Sequence, residues 1–424
     1  MKHYSIVAVS LFIFITSLAS CSIDGNGRQG ELANKSQILP YRGETLIDSL
    51  LSAAVKDHEI PGAVAYVKKD GQEVYHKAFG WRNMQSNTPL KKNDIFRMAS
   101  MTKGLTAVAV LQLYERGLLF LDDRVSKYLR EFSDPEVLTD IRPDTTYRSR
   151  PADKDVTIRH LLTHTSGIGY GFQNEAYNKL FVKHHVSEGF EDDGRTAREN
   201  IRRLAQLPLL HGPGEKYTYG MSYDVLGVLI EEVTGMRYDR YIKRYILDPL
   251  GMDNSYFIIP DEKRKRLVSV YQPAESGEGI EPATYPDTTY PTVESRRYFS
   301  GGADLCSTAE DYARFVQMVL NKGIYKGTRI IGERYIEMML SRQTPFGGKN
   351  SDQGFAVWVT TEQGAAQGLM DVGSFGFGGF FDTYAWADPE EEFVAVLLLQ
   401  MYPTNQHRVH QKFQNVVYGV IHEL

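Results

Sequence analysis

The chain has 424 residues, with 48 lysines and arginines against 53 aspartates and glutamates, so its net charge at pH 7 is −5. Charges of both signs are interspersed, which excludes the dense basic surface that nucleic-acid binding requires. The short basic run at 263–266 is interpreted as a solvated helix face. Hydrophobic residues make up 42% of the chain, which is ordinary for a globular protein that can bury a large core.

The N-terminal region has the pattern of an exported protein. Lys2 precedes an apolar run at 6–15, which is shorter than the roughly 20 residues of a membrane-spanning helix. Small residues then lead to Cys21, an arrangement that resembles the lipobox of bacterial lipoproteins. The resemblance predicts a signal peptide over residues 1–20, lipidation of Cys21 and a flexible tether over residues 21–45. An ordinary signal peptide with an incidental cysteine is the alternative.

Lipidation would hold the protein on a membrane, facing the periplasm or the cell surface. Ser22, directly after the predicted lipidated cysteine, favours the outer membrane. The chain has 2 cysteines, so a lipidated Cys21 leaves Cys306 without a disulfide partner. The sequence around Cys306 supplies no neighbouring base for a nucleophilic thiol, and we therefore expect Cys306 to be a small buried residue.

Strand patterns occur near both ends of the chain, and helical periodicity occurs in the middle and at the C-terminus. The predicted strands cover residues 62–67, 73–79, 383–386 and 393–399. The predicted helices cover about 100–117, 225–233, 309–320 and 406–422. Strands at both ends with helices between them imply that the two ends of the chain meet in one sheet.

These patterns predict one folded unit over residues 46–424 of the α+β class. It should contain a mostly antiparallel sheet, built from both chain ends and flanked by helices, beside a mainly helical insertion. The sheet part is expected at 46–99 and 300–424, and the helical part at 100–299. Two segments without clear periodicity, 140–156 and 270–300, are expected to be long ordered loops.

The strongest chemical signal is Ser100-x-x-Lys103 at the start of the first predicted central helix. Residues three apart share a helix face, so the Lys103 amine can reach the Ser100 hydroxyl. A serine hydroxyl is a poor nucleophile unless a base takes its proton, and a lysine withdrawn from water can serve. The helix start also directs backbone N–H groups toward a developing oxyanion. A helix-capping serine with a solvated lysine is the alternative.

Several blocks around this pair are similar, in sequence and in order, to the serine β-lactamase and penicillin-binding superfamily. They are Ile60-Pro-Gly-Ala63, Arg159-His-Leu-Leu-Thr-His-Thr-Ser-Gly167, Pro213-Gly-Glu-Lys-Tyr-Thr-Tyr219 and Ser300-Gly-Gly-Ala-Asp-Leu-Cys-Ser-Thr-Ala-Glu-Asp311. The chain most resembles the class C β-lactamase-like branch, which includes family VIII carboxylesterases, D-stereospecific peptidases and transesterases. The resemblance covers most of residues 46–402. It implies a β-lactamase/transpeptidase-like fold and acyl-enzyme chemistry on Ser100 without a cofactor.

The resemblance implies a second catalytic group, Tyr219, which would share base and acid duty with Lys103. The family's second motif is Tyr-x-Asn, and Tyr219-Gly-Met221 stands in its place. Met221 is therefore expected at the substrate site, where it offers no amide to a substrate carbonyl. Tyr217 is the rival tyrosine, and the position of Tyr219 before the Asp-Val-Leu-Gly block favours Tyr219.

The third motif, Lys-Thr-Gly in β-lactamases, is replaced by Phe377-Gly378-Gly379, which resembles the Trp-Gly-Gly form of the esterases. We expect Phe377, Gly378 and Gly379 to contact substrate, since glycines let a strand approach it closely. The resemblance implies that the N–H of Phe380 completes an oxyanion hole with that of Ser100. A glycine-rich bulge beside a packed strand is the alternative. Without the lysine, turnover of β-lactams becomes a weaker expectation than turnover of esters.

Other candidate motifs are rejected. His160 and His164 are four residues apart, but the glutamate of a His-Glu-x-x-His metal site is missing, so no metal is expected. Ser222 lacks the final glycine of a Gly-x-Ser-x-Gly nucleophile elbow.

The sequence thus predicts a serine hydrolase that acts on a small ester or amide, with ester hydrolysis favoured. Acyl transfer to a bulky hydroxylated acceptor is the first alternative. A β-lactamase, a D-amino-acid peptidase or a penicillin-binding protein is the second.

Overall fold

The computed structural model describes residues 43–190, 194–285, 290–292, 296–404 and 408–424. The predicted signal peptide, the lipidation site Cys21 and nearly all of the predicted tether lie outside these residues. The first helix begins at Gly43, so the last residues of the predicted tether, 43–45, are helical.

The two longest strands, β1 and β2, have 8 and 12 residues and belong to the main sheet. In chain order they are β1 (Gly62–Lys69), β2 (Gln72–Asn83), β3 (Thr88–Pro89), β4 (Phe96–Arg97), β5 (Glu136–Ile141), β6 (Tyr147–Pro151), β7 (Tyr271–Pro273), β8 (Ile280–Pro282), β9 (Cys306–Ser307), β10 (Ile324–Tyr325), β11 (Thr328–Arg329), β12 (Ser351–Gln353), β13 (Trp358–Thr360), β14 (Phe375–Gly379), β15 (Thr383–Asp388) and β16 (Phe393–Leu398).

Within the described residues, the main sheet has 8 strands in the order β12-β13-β14-β15-β16-β1-β2-β3. Each neighbouring pair in it is antiparallel. The first hairpin turns at Asp70 and Gly71, whose φ angles of 50° and 76° are the positive values that a tight hairpin turn needs. The two ends of the chain meet where β1 pairs with β16, and the predicted α+β fold class is confirmed.

The helices surround this sheet and fill the middle of the chain. In chain order they are α1 (Gly43–Lys56), α2 (Thr102–Glu115), α3 (Ile158–Leu162), α4 (Glu175–Lys183), α5 (Ala197–Leu204), α6 (Ser222–Thr234), α7 (Tyr238–Ile242), α8 (Asp248–Leu250), α9 (Asp261–Arg264), α10 (Ala309–Leu320), α11 (Glu333–Leu340), α12 (Glu362–Gln367) and α13 (Val409–Val420). Short 3-10 turns precede α2 and α4, and a π-helical turn joins α7 to α8. Among the described residues, no helix combines the length and apolar character needed to span a bilayer.

The central strands are buried on both faces, which explains why their sequences are continuously apolar rather than alternating. In β16, Ala395 and Leu397 belong to the core beneath the two terminal helices α1 and α13. Val394 and Val396 belong to the larger core on the opposite face, where α10 packs on the sheet. Helix α2 lies within this larger core and is buried over nearly its whole length. This larger core holds the start of α2 in a fixed place, together with Ser100 just before it.

Two segments differ from their predicted loop structure. Residues 136–151 form the hairpin of β5 and β6. Its strands are largely exposed and charged, so they lack the alternation of apolar and polar residues by which a half-buried strand is recognised. Part of 270–300 forms the hairpin of β7 and β8. The C-terminal helix is also shorter than predicted, because it begins at Val409.

Candidate active site

Ser100 lies in a 3-10 turn, Ala99–Met101, between β4 and α2. Ala99, directly before it, has a φ of 45°, in the left-handed region that a non-glycine residue adopts at a cost of roughly 1 kcal/mol or more. Ala99 is buried against Phe381 and other aromatic residues, so packing holds this unfavourable backbone in place. The turn presents the Ser100 hydroxyl at the beginning of a helix, as predicted from the sequence.

Lys103 follows one helical turn later, and its side chain is only 3% exposed. Its Nζ donates to Ser100 Oγ at 3.1 Å, to the carbonyl oxygen of Gly302 at 2.8 Å and to the Tyr170 hydroxyl at 3.4 Å. An ammonium group has three N–H donors, and each has a partner here. The amine is therefore aimed at the serine by its surroundings as well as by the helix.

Tyr219 completes the group from a loop that precedes α6. Its hydroxyl donates to Ser100 Oγ at 2.7 Å. Lys103 Nζ lies 4.8 Å from the centre of the Tyr219 ring, so the amine, the phenol and the serine hydroxyl form one compact cluster. The structure thus brings together the three side chains that the sequence assigns to catalysis.

The rival tyrosine, Tyr217, lies elsewhere. Its ring packs edge-on against His164 at 5.9 Å, and burial raises the pKa of its hydroxyl well above the ordinary range. Among the described residues, no hydrogen bond joins Tyr217 to Ser100. The geometry therefore supports Tyr219 in the catalytic position.

His164 and His160, considered as a metal pair, both have contacts within the protein. His160 Nδ1 accepts the backbone N–H of Thr157. The His164 ring lies 4.6 Å from that of Tyr219, and its Nδ1 accepts the N–H of Gly220 at 3.3 Å. Burial, aided by the nearby Lys103, holds the pKa of His164 well below its ordinary value. His164 is therefore a neutral packing partner of Tyr219.

The edge of β14 lies against the backbone that leads to Ser100. A Cβ built on Gly379 would lie 2.3 Å from the carbonyl oxygen of Met98, so only glycine allows this contact. Phe380 follows directly, and its ring stacks on that of Tyr402 at 3.7 Å. This packing places Phe380 beside the turn that carries Ser100, where the sequence predicts the second N–H of the oxyanion hole.

Two side chains predicted to contact substrate point elsewhere, and these expectations are corrected. Met221 directly precedes α6, and its side chain is 0% exposed because it packs in the larger core. Phe377 is 3% exposed, and its ring packs under α2 against Gly104 and Phe315. Gly378 has open space around its Cα, with the nearest atom 3.9 Å from a Cβ built there. This strand can offer substrate its backbone, whereas the Phe377 ring belongs to the core.

Two groups beside Lys103 have no role that the sequence predicts. Tyr170 provides the third acceptor of the amine, and burial raises the pKa of its hydroxyl well above the ordinary range. Asp224 is a buried carboxylate in the first turn of α6. The sequence signal for Asp224 is a charged residue directly before the largely apolar run at 225–230.

Cys306 is buried and free in the described part of the chain, as predicted. Burial raises the pKa of its thiol to about 12, so the reactive thiolate is scarce near neutral pH.

The Ser100 hydroxyl, at a helix start beside an antiparallel sheet, contacts both a lysine and a tyrosine. This arrangement is typical of a class of acyl-transfer enzymes that form a covalent intermediate. The family described as Beta-lactamase matches residues 47–417, and the chain belongs to this family. The predicted superfamily is thereby confirmed.

Similar proteins include both hydrolases and acyltransferases. The chain is 29% identical to Esterase EstB of Burkholderia gladioli, over 83% of this chain and 89% of that protein. It is 30% identical to the monacolin J acid methylbutanoyltransferase of Aspergillus terreus, over 65% of this chain and 66% of that protein. Among solved structures, EstCE1, a hydrolase with promiscuous acyltransferase activity, superposes with a TM-score of 0.76 at 23% identity, covering 89% of this chain and 99% of EstCE1. The chain is a serine hydrolase of the acyl-transfer type.

Proposed function

We propose that this protein hydrolyses carboxylic esters through an acyl-enzyme on Ser100. The observation that carries the proposal is the convergence of Lys103 Nζ and the Tyr219 hydroxyl on Ser100 Oγ, at 3.1 and 2.7 Å. Proton transfer needs heavy-atom distances of about 2.6–3.2 Å, and both contacts fall in this range. The esterase among the relatives supports ester substrates.

Acylation begins when Ser100 Oγ attacks the ester carbonyl and its proton passes to the Lys103–Tyr219 pair. The pair accepts this proton in the form that has lost one proton, in which the Tyr219 phenolate oxygen, 2.7 Å from Ser100 Oγ, takes the serine proton as the new bond forms. The backbone N–H groups of Ser100 and Phe380 would stabilise the oxyanion, and the leaving alcohol takes the proton as the C–O bond breaks. Water then attacks the acyl-enzyme, with the same pair accepting its proton.

The preference for esters over β-lactams rests on the third motif. The position that holds a lysine in Lys-Thr-Gly is Phe377, whose ring lies in the core, so this strand supplies no cation for a substrate carboxylate. A charge-assisted hydrogen bond contributes roughly 1.5–3 kcal/mol, and its loss weakens binding of penicillin-like acids accordingly.

Transfer of the acyl group to an alcohol is the second candidate function. The residues beside Ala99 form an aromatic wall of Phe190, Phe380 and Tyr402, and an apolar wall favours an organic acceptor over water. The acyltransferase relative supports the same chemistry.

The test is mass spectrometry of the intact protein after exposure to p-nitrophenyl esters, labelled penicillin and acyl-D-amino acids. An acyl adduct on Ser100 that forms and decays with esters is expected, and its absence from Ser100→Ala would complete the assignment. Ser222→Ala is the matched control, since Ser222 is buried and hydrogen-bonded to Ser166 at 2.9 Å. Ester turnover that survives in Ser100→Ala would refute the proposal.

Added alcohols separate the two functions. Hydrolysis releases only the acid, whereas transfer yields a new ester that chromatography detects. A long-lived penicillin adduct without ester turnover would instead indicate a penicillin-binding protein.

We also propose that the protein is an exported lipoprotein anchored through Cys21, facing the periplasm or the cell surface, with the outer membrane favoured. Support comes from the apolar run, the small residues before Cys21 and Ser22 after it. Mass spectrometry of the N-terminal peptide should find a cleaved, acylated Cys21. Cys21→Ala should release the protein from the membrane fraction, and unchanged membrane association would contradict this proposal.

A further inference from the structure

The segment that carries Gly302 lies directly behind Lys103 and is held by buried polar contacts. Arg296 forms an ion pair with Asp304 at 2.7 Å, and Asp304 also accepts the backbone N–H of Ser300 at 2.6 Å. Lys103 donates to the carbonyl oxygen of Gly302 at 2.8 Å. The position of the catalytic amine therefore depends on where this segment places one backbone carbonyl.

A second buried carboxylate, Asp224 on α6, accepts hydrogen bonds from the same segment. It is 2% exposed and accepts the Ser300 hydroxyl at 2.5 Å and the Tyr298 hydroxyl at 2.9 Å. Ser300 Oγ in turn accepts the N–H of Gly302 at 3.0 Å. A continuous path of hydrogen bonds thus runs from Asp224 through Ser300 and Gly302 to Lys103.

The Asp224 carboxylate also lies close enough to the Lys103 amine for the two opposite charges to attract each other. A Cβ built on Gly302 would lie 2.8 Å from Asp224 Oδ2 and 3.4 Å from Lys103 Nζ, so Gly302 separates the two groups by little more than its own backbone. Burial raises the pKa of Asp224, whereas the Ser300 hydrogen bond and the positive Lys103 lower it. A buried carboxylate is unfavourable unless a cation and hydrogen-bond donors compensate it, and both are present here.

We propose that Asp224 is a positioning residue for acyl transfer: it holds the Gly302 carbonyl against Lys103 and balances the charge of the catalytic amine. This inference rests on the proposed function of Ser100. Among the described residues, Ser100 Oγ has hydrogen bonds with Lys103 and Tyr219 and none with Asp224. Asp224 therefore acts through Lys103 and does not touch the reacting atoms.

Asp224→Asn tests the proposal, because it keeps the size of the side chain and one acceptor oxygen while removing the charge. We expect kcat for a p-nitrophenyl ester to fall about 10- to 100-fold, with KM within about twofold, since the substrate contacts are unchanged. The acid limb of the pH profile of kcat/KM should move to lower pH by about one unit, because the base releases its proton more readily without the nearby negative charge. A carboxylate with a purely structural role would lower stability without moving this limb.

Asp311→Asn is the matched control. Asp311 is a buried carboxylate on α10 that accepts the N–H of Asn254 at 2.7 Å, and it has no part in the catalytic group. Its replacement should leave the pH profile unchanged, and an equal shift in this control would overturn the proposal.

Gly302→Ala is a second variant that tests the positioning role of Asp224 if Asp224→Asn does not fold. Its methyl group would push the Asp224 carboxylate away from Lys103, and kcat should fall without loss of either charged group. Ser100→Ala separates the two possible failures. Turnover that persists in Ser100→Ala refutes the proposed function, whereas wild-type kcat and pH profile in both Asp224→Asn and Gly302→Ala overturn only the role of Asp224.

Discussion

Replacing Gly379 with alanine should displace the backbone that leads to Ser100. A Cβ at this position would lie 2.1 Å from Thr383 Oγ1 and 2.3 Å from the carbonyl oxygen of Met98, two residues before Ser100. The Thr383 side chain can rotate, but the Met98 carbonyl is backbone. The clash is therefore relieved only by moving the end of β14 or the turn that carries the serine.

The size of the effect follows from the distances. Restoring an ordinary contact of about 3.3 Å requires a shift of about 1 Å, and such overpacking costs typically 1–3 kcal/mol of unfolding free energy. A displacement of 1 Å in a catalytic group costs about 100-fold in rate, because the reacting atoms lose their alignment. We expect Gly379→Ala to lose both stability and rate per folded molecule.

Two glycines of the same strand provide controls. A Cβ on Gly376 would lie 2.2 Å from the Trp358 ring, so Gly376→Ala should lose stability while its folded fraction keeps the normal rate. A Cβ on Gly378 meets nothing closer than 3.9 Å, so Gly378→Ala should fold as stably as the wild type. The assay is urea unfolding together with burst kinetics on a p-nitrophenyl ester, normalised to sites titrated with a fluorophosphonate.

A normal burst rate in Gly379→Ala would refute this reasoning, because the strand would then not support the serine turn. An equal loss of rate in Gly376→Ala would also contradict it, since the effect would then arise from general destabilisation.

Three further predictions follow from the same structure. Tyr219→Phe should slow acylation by roughly 100-fold or more through loss of the proton acceptor, whereas Tyr217→Phe should stay within about threefold of the wild type in the same burst assay. Burial raises the pKa of Asp311 to about 6, above the roughly 4 of an unfolded chain. The stability that protonated Asp311 contributes is therefore lost as pH rises from about 4 to about 6, and Asp311→Asn should remove this part of the pH dependence of urea unfolding. Cys306→Ala should retain ester turnover, since its thiol is buried, and loss of turnover with an intact fold would contradict this.

The parts of the site that could be predicted from sequence are local or belong to a recognisable block. The spacing of Ser100 and Lys103 decides their contact once the helix is known, because residues three apart share a face. Tyr219 lies 119 residues from Ser100, and no local rule connects them. Its assignment depended on the resemblance of its block to a family motif.

The directions of side chains were harder to predict. A strand has two faces, and the sequence around Phe377 does not tell which of them points to substrate. The ring lies on the core side, packed in the space that Gly104 leaves open in α2. Met221 was wrongly placed at the substrate because the motif was aligned without knowing that α6 begins directly after it. The role of Asp224 needs the position of Gly302, 78 residues farther along the chain, which no pattern near Asp224 reveals.

The pairing of β1 with β16 has a consequence for how the chain reaches its native state. Val64 lies opposite Leu398, so the sheet closes only after almost the whole chain is available. Until then, the hairpin of β1 and β2 has an open edge that can pair with other molecules. Contacts so distant in sequence also slow folding, because a long loop must close first. Shortening the chain to end before Phe393 should therefore give aggregates rather than a smaller folded protein.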